Sequence, residues 1–229
     1  ITTATLADGK TIDGAGNVTI NTLNGDTSAV LANITATGTI TVNTDNNVTF
    51  TGTLPNTNTT LDGDYTYTVT SDAFTTGKTY TIASSNALVT TAERADSKTI
   101  NGAGNITINT LNGDDSAALV GITATGTVTV NTAANVTFSG TLPNTNTTLD
   151  GDYTFTVTSN AFTTGKTYTI ASSNALITTA TLSDGKTIDG AGNVTINTLN
   201  DDDSAALVGI TATGTITVNT AANVTFSGT

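Results

Sequence analysis

KTIDGAGNVTINT at Lys10 to Thr22 and ANITATGTITVNT at Ala32 to Thr44 are the two lines whose comparison decides the fold. Set one over the other at an offset of 22, they share Ile12/Ile34, Gly16/Gly38, Thr19/Thr41, Asn21/Asn43 and Thr22/Thr44, with Val18/Ile40 and Ile20/Val42 as conservative pairs. Within each line, β-branched apolar residues alternate with Thr or Asn. That is the period-two pattern of a strand with one buried and one polar face. A second echo, Gly165-Lys166-Thr167-Tyr168 against Gly185-Lys186-Thr187-Ile188, has an offset of 20. Echoes of this length suit successive coils of a parallel β-solenoid, in which like residues stack on like.

A longer period contains the short one. KTIDGAGNVTINTLN at Lys10 to Asn24 returns as KTINGAGNITINTLN at Lys98 to Asn112 and again as KTIDGAGNVTINTLN at Lys186 to Asn200, a period of 88 residues. The chain is thereby divided into repeat 1 over 1–88, repeat 2 over 89–176 and a partial repeat 3 over 177–229. Each complete repeat is expected to hold about four to five coils. Recurring Asn would stack as ladders, and Thr would form columns on the outside. The chain begins and ends inside a repeat, so a segment of a longer protein is expected.

A string of immunoglobulin-like β-sandwiches is the competing architecture. Leu61-Asp62-Gly63-Asp64-Tyr65-Thr66-Tyr67-Thr68-Val69-Thr70 resembles the LxDGxYxxxVT ending of bacterial immunoglobulin-like repeats, followed by a hairpin to Lys78-Thr79-Tyr80-Thr81-Ile82. The repeat length also fits one sandwich. Against it stand uneven strand spacing, the missing Trp and Cys markers, and an offset-22 echo that has no role in a Greek key.

Composition narrows the chemistry. The 229 residues contain no Cys, Met, Trp or His, so disulfides, thiolates and imidazole catalysis are ruled out within the chain. Six basic residues against 18 acidic ones give a net charge of −12, which repels nucleic acid and anionic membranes and favours divalent cations. No long apolar run marks a signal or transmembrane segment in this stretch, so membrane insertion is not expected.

Corners are marked by Asp8-Gly9, Gly14-Ala15-Gly16, Asn24-Gly25-Asp26, Asp45-Asn46-Asn47, Asp62-Gly63-Asp64 and Thr76-Gly77, whose residues tolerate positive φ. The best helix candidate is Asp114 to Gly121, with Asp at its start and Gly at its end. Pro55 and Pro143 each follow a strand, where no ladder donor is needed.

At FTTGKTYTIASSNALITTATLSDGKTIDGAGNVTINTLN (Phe162 to Asn200) and DDDSAALVGITATGTITVNT (Asp201 to Thr220), the chain resembles the repetitive regions of giant secreted bacterial surface proteins, adhesin-like and surface-layer-like. The resemblance implies an extracellular location on a bacterial cell surface. It also implies a non-catalytic role as spacer or fibre segment, with neighbouring repeats, further copies of the chain or a surface glycan as partners. The nonapeptide GGxGxDxUx that many such proteins carry is absent, so its calcium chemistry is not implied.

Acidic turns are the only candidate ligand sites. Asp62 and Asp64, their counterparts Asp150 and Asp152, and the clusters Asp114-Asp115 and Asp201-Asp202-Asp203 offer oxygens of the kind Ca²⁺ prefers, although Asp also favours turns for its own sake. Paired carboxylates raise a glycosidase reading, but every candidate recurs with its surroundings, whereas an acid and a base need different environments. No enzyme activity is expected. Triplets such as Thr39-Ile40-Thr41 and Thr79-Tyr80-Thr81 raise ice binding, which needs in-register rows. Their unequal separations argue against such rows. Sequons such as Asn17-Val18-Thr19 are too frequent in this composition to assign a glycosylation site.

Overall fold

A computed structural model describes residues 1–24, 28–113, 115–200 and 205–226. They form two compact units: unit 1 is Ile1–Ile108 with Gly121–Gly126, and unit 2 is Asn109–Val120 with Thr127–Thr229. The division falls inside the second sequence copy.

Unit 1 contains β1 (Thr2–Thr3), α1 (Ala4–Ala7), β2 (Val18–Leu23), β3 (Ile40–Thr44), β4 (Val48–Phe50), β5 (Thr59–Asp62), β6 (Thr66–Val69), β7 (Thr79–Ile82), β8 (Ala87–Thr91), α2 (Ala92–Ala95) and β9 (Thr99–Gly102). β10 (Asn105–Leu111) has residues on both sides of the division. In unit 1, β1-β2-β3-β5-β7-β9 make one parallel sheet, and β4-β6-β8 pair in parallel as a second face. The chain therefore alternates between two faces as it climbs, which is the path of a parallel β-solenoid.

The decisive echo is a ladder. Val18 pairs with Ile40, Thr19 with Thr41 and Ile20 with Val42. Later steps have offsets of their own: Ile40 meets Thr59, Thr59 meets Tyr80 and Tyr80 meets Ile100. From Thr2 to Gly102 the sheet climbs five steps, or about 20 residues per coil. A repeat of 88 residues thus holds about four and a half coils, within the expected range.

Unit 2 follows the same plan with β11 (Val128–Thr132), β12 (Val136–Phe138), β13 (Thr147–Asp150), β14 (Thr154–Val157), β15 (Thr167–Ile170), β16 (Ala175–Thr179), α3 (Ala180–Ser183), β17 (Thr187–Gly190), β18 (Asn193–Leu199) and β19 (Ile216–Thr220). Its faces are β11-β13-β15-β17 and β12-β14-β16-β18-β19. Every strand pair among the described residues of each unit is parallel, which overturns the sandwich alternative. The segment Tyr65–Thr70 makes no hairpin with Lys78–Ile82, because β6 pairs with β4 and β8 while β7 pairs with β5 and β9.

Alternation fills the core. In β3, Ile40, Val42 and Thr44 are buried, while Thr41 and Asn43 face outward. Each fully buried Ile, Leu or Val contributes about 1.5–3 kcal/mol of transfer free energy. Aromatic residues stack from coil to coil, with Phe50 and Tyr67 ring centroids 5.9 Å apart and nearly parallel, and Phe138 and Phe155 repeating the arrangement at 6.1 Å. Ile12 and Val18 are only half-buried in the first coil, whereas their counterparts Ile100 and Ile106 are fully inside.

Three local features depart from simple alternation. After Ile20 the register shifts, and Leu23 rather than Thr22 turns inward. The extra residue, Thr22, has φ 57°, and Thr110 and Thr198 repeat it at 58°. A β-branched residue there is strained, and a bulge is what accommodates it. Short α-turns, not anticipated from the sequence, follow β1, β8 and β16. Thr3 and Thr179 cap two of them, their Oγ1 atoms accepting from Leu6 N and Leu182 N. Finally, the segment expected as a helix over Asp114 to Gly121 forms a 3₁₀ helix over Asp115–Leu119, the short connector form such segments often take; Asp114 lies outside the described residues.

Candidate functional site

The corner after β5 gathers the acidic residues singled out in the sequence. Asp62 ends the strand, Gly63 turns with φ 126°, and Asp64 follows at φ 66°. A side chain at Gly63 would collide with the Thr44 carbonyl of the coil before, so the chain passes there only as glycine. Asp62 is half-buried and Asp64 exposed. One Asp62 carboxylate oxygen, Oδ1, accepts from Gly63 N at 2.8 Å and from Asn86 Nδ2 at 3.4 Å.

Asn86 closes this corner from the next coil. Only 1% exposed, it donates through Nδ2 to the carbonyls of Ala83 (3.3 Å) and Ser84 (3.0 Å) and accepts Tyr65 N–H at 3.2 Å. Unit 2 repeats the whole arrangement. Asp150 Oδ1 accepts from Gly151 N (2.8 Å) and Asn174 Nδ2 (3.3 Å), Asn174 Oδ1 accepts from Tyr153 N (3.1 Å), and Asp152 has φ 65°. Burial pushes the Tyr67 phenol up to about 12, and the Asp62 carboxylate adds to the rise. Its hydroxyl donates toward the Asp62 carbonyl and accepts from Thr44 Oγ1 at 3.2 Å. In unit 2 the equivalent residue is Phe155, and Thr132 Oγ1 donates to the Asp150 carbonyl directly, at 3.3 Å.

Asp62 and Asp150 are thus tied into their own turns. Among the described residues, no three Asp or Glu side chains converge as a metal-holding group. Asp201, Asp202 and Asp203 lie outside the described residues, as does Asp114. An open groove of about 420 Å³ in unit 1 is bordered by Ile34, Thr35, Leu54, Pro55, Asn56 and Thr75, among others, with no titratable side chain along it.

Asparagines join successive coils at several junctions in a way the sequence reading did not specify. Asn17 Oδ1 accepts Thr39 N–H (2.9 Å), Asn47 Oδ1 accepts Thr66 N–H (2.9 Å) and Asn58 Oδ1 accepts Thr79 N–H (3.1 Å). Each supplies an acceptor for the first amide of the strand stacked on it, where the ladder leaves a donor over. The expected Asn stacking is present as well: Asn43 Nδ2 donates to Asn21 Oδ1 at 2.7 Å, and Asn131 to Asn109 at the same distance.

The outward threonines form the expected columns, and they stand in register although their unequal separations argued against straight rows. Thr19 pairs with Thr41, Thr41 with Thr60 and Thr60 with Thr81, although the separations are 22, 19 and 21 residues. Corners of different length absorb the inequality, so sequence spacing does not prevent a straight row. A parallel β-solenoid with asparagine-capped coils and hydroxyl-lined faces is the class of structure these observations define. Compared with protein-family models, curated proteins and solved structures, the chain matches none.

Proposed function

We propose that this chain is a non-catalytic structural repeat, a spacer or fibre segment of an extracellular protein on a bacterial surface, either adhesin-like or surface-layer-like. The observation that carries this reading is the continuity of coil-to-coil bonding: each step adds a parallel ladder and buried apolar residues, and several add an asparagine acceptor for the next strand. Contacts made only between neighbouring coils let length grow without changing the interior. The carboxylates best placed for chemistry, Asp62 and Asp150, serve their own corners.

Reach is the measurable output of a spacer. At about 4.8 Å per coil, four to five coils advance the chain about 19–24 Å per repeat. Scattering or microscopy on arrays of increasing repeat number should show that increment, and antibody against the segment should label intact cells. An increment near 40 Å, or label confined to the cell interior, refutes the proposal.

A further inference from the structure

We propose that the outer face of the β2-β3-β5-β7-β9 sheet orders water and binds ice. One row on this face is Thr19, Thr41, Thr60 and Thr81, closed by Asn101. Two residues nearer the strand starts runs a second row, Thr39, Asn58, Thr79 and Thr99. The rows repeat about every 4.8 Å along the stack and stand about 6.6 Å apart along each strand. Hexagonal ice presents oxygen atoms at comparable intervals in two directions.

Three properties select this ligand. First, the chain carries 24 charged residues, yet neither row contains one. Strong local hydration by ions would disrupt an ordered water layer. Second, β-branching restricts χ1, so ordering the hydroxyls and methyls of a row costs less entropy than ordering longer side chains. Third, among the described residues Thr19, Thr41 and Thr60 make no side-chain bond to protein, while Thr81 donates to Asn101 Oδ1 at 2.8 Å. The face lacks the aromatic and Arg anchors that protein partners use. Two periodic, uncharged rows match a ligand that is itself periodic and neutral, and Asp62, which follows two residues beyond Thr60, is bonded into its own corner. Unit 2 carries the related row Thr129, Thr148 and Thr169, which ends at Asp189 instead of Asn.

The test uses the full chain. Thermal hysteresis and inhibition of ice recrystallisation are measured for the native protein, for a variant with Thr41→Lys, Thr60→Lys, Thr129→Lys and Thr148→Lys, and for a control with Thr137→Lys and Thr156→Lys on β12 and β14, whose sheet carries none of those threonines. The native protein and the control should both act on ice, and the fourfold variant should fall to the level of buffer. If the fourfold variant loses its fold by circular dichroism, Thr60→Tyr with Thr148→Tyr replaces it, since Tyr is a good strand former. A native chain without effect on ice, a face variant as active as the native chain, or a control that loses activity equally, overturns the proposal.

Discussion

Replacing Asn86 by Asp exchanges one NH₂ for one oxygen at nearly constant volume. The retained Oδ1 still accepts Tyr65 N–H, but the new oxygen faces the Ala83 and Ser84 carbonyls and the Asp62 carboxylate that Nδ2 formerly served. Two good hydrogen bonds and one long one disappear, at about 1 kcal/mol each. Burying an uncompensated charge beside acceptors adds a few kcal/mol more. A loss of about 3–5 kcal/mol at neutral pH is therefore expected, a large part of the ~5–15 kcal/mol that stabilises a domain. The new carboxyl would have its pKa raised above the unfolded value of about 3.9. Protonation would then favour the folded state, so the deficit relative to the native chain should be full above the raised pKa and shrink as pH falls toward 3.9. Urea melts at several pH values, read by circular dichroism, measure both effects, with Asn174→Asp as the counterpart in unit 2. A deficit below 1 kcal/mol at neutral pH, or one that does not shrink on acidification, refutes the assignment of Asn86 as the amide that closes this corner.

Ser97 has φ 58° where the other copies have Gly9 and Gly185 at 66° and 65°, so Ser97→Gly should raise stability by about 1 kcal/mol in a thermal melt. The Tyr67 phenol, at about 12 when folded against about 10 when unfolded, contributes stability that is full below pH 10 and lost as pH rises through 12. On the scale of 1.36 kcal/mol per pH unit at most about 3 kcal/mol is at stake, and Tyr67→Phe should remove that alkaline fall in a melt series. Calcium at millimolar concentration should stabilise the chain no more than monovalent salt of equal ionic strength, because the Asp62 and Asp150 turns already use a carboxylate oxygen internally. A melting midpoint that climbs and saturates with calcium alone would contradict this.

The coil was legible where two successive coils share a sequence, because Ile40 on Val18 and Val42 on Ile20 place identical chemistry at identical depth. The step from Ile40 to Thr59 was not, since a buried Thr there takes a place that an apolar residue fills elsewhere. Thr59 can be buried because its hydroxyl donates to the Thr57 carbonyl at 3.1 Å, a local bond that no periodicity records. Strict alternation after Ile20 would turn Thr22 inward, as its counterpart Thr44 is, yet its positive φ inserts a bulge and brings Leu23 inside instead. At the acidic corner, Asp62-Gly63-Asp64 announced a turn. The partner that donates to it from the next coil, Asn86, lies 24 residues further on, a distance that follows only from knowing the coil length. Outer Thr columns were legible, but their straight registration was not, because registration is a property of stacked strands and corner lengths, not of spacing along the chain.

Ladder steps of unequal length have a consequence for how such a chain changes over generations. Because a corner can hold a residue more or less while the strands on either side stay aligned, small insertions there would leave the stacked rows undisturbed. The same insertion within Thr39 to Thr44 would turn Ile40 and Val42 to the outside. Crossing-over between two near-identical copies is a different event. It would add or remove 88 residues at once and rejoin each strand to a neighbour with the same side chains. Relatives of this chain should accordingly vary in two ways, by single residues at the corners and by whole copies in number, with little in between.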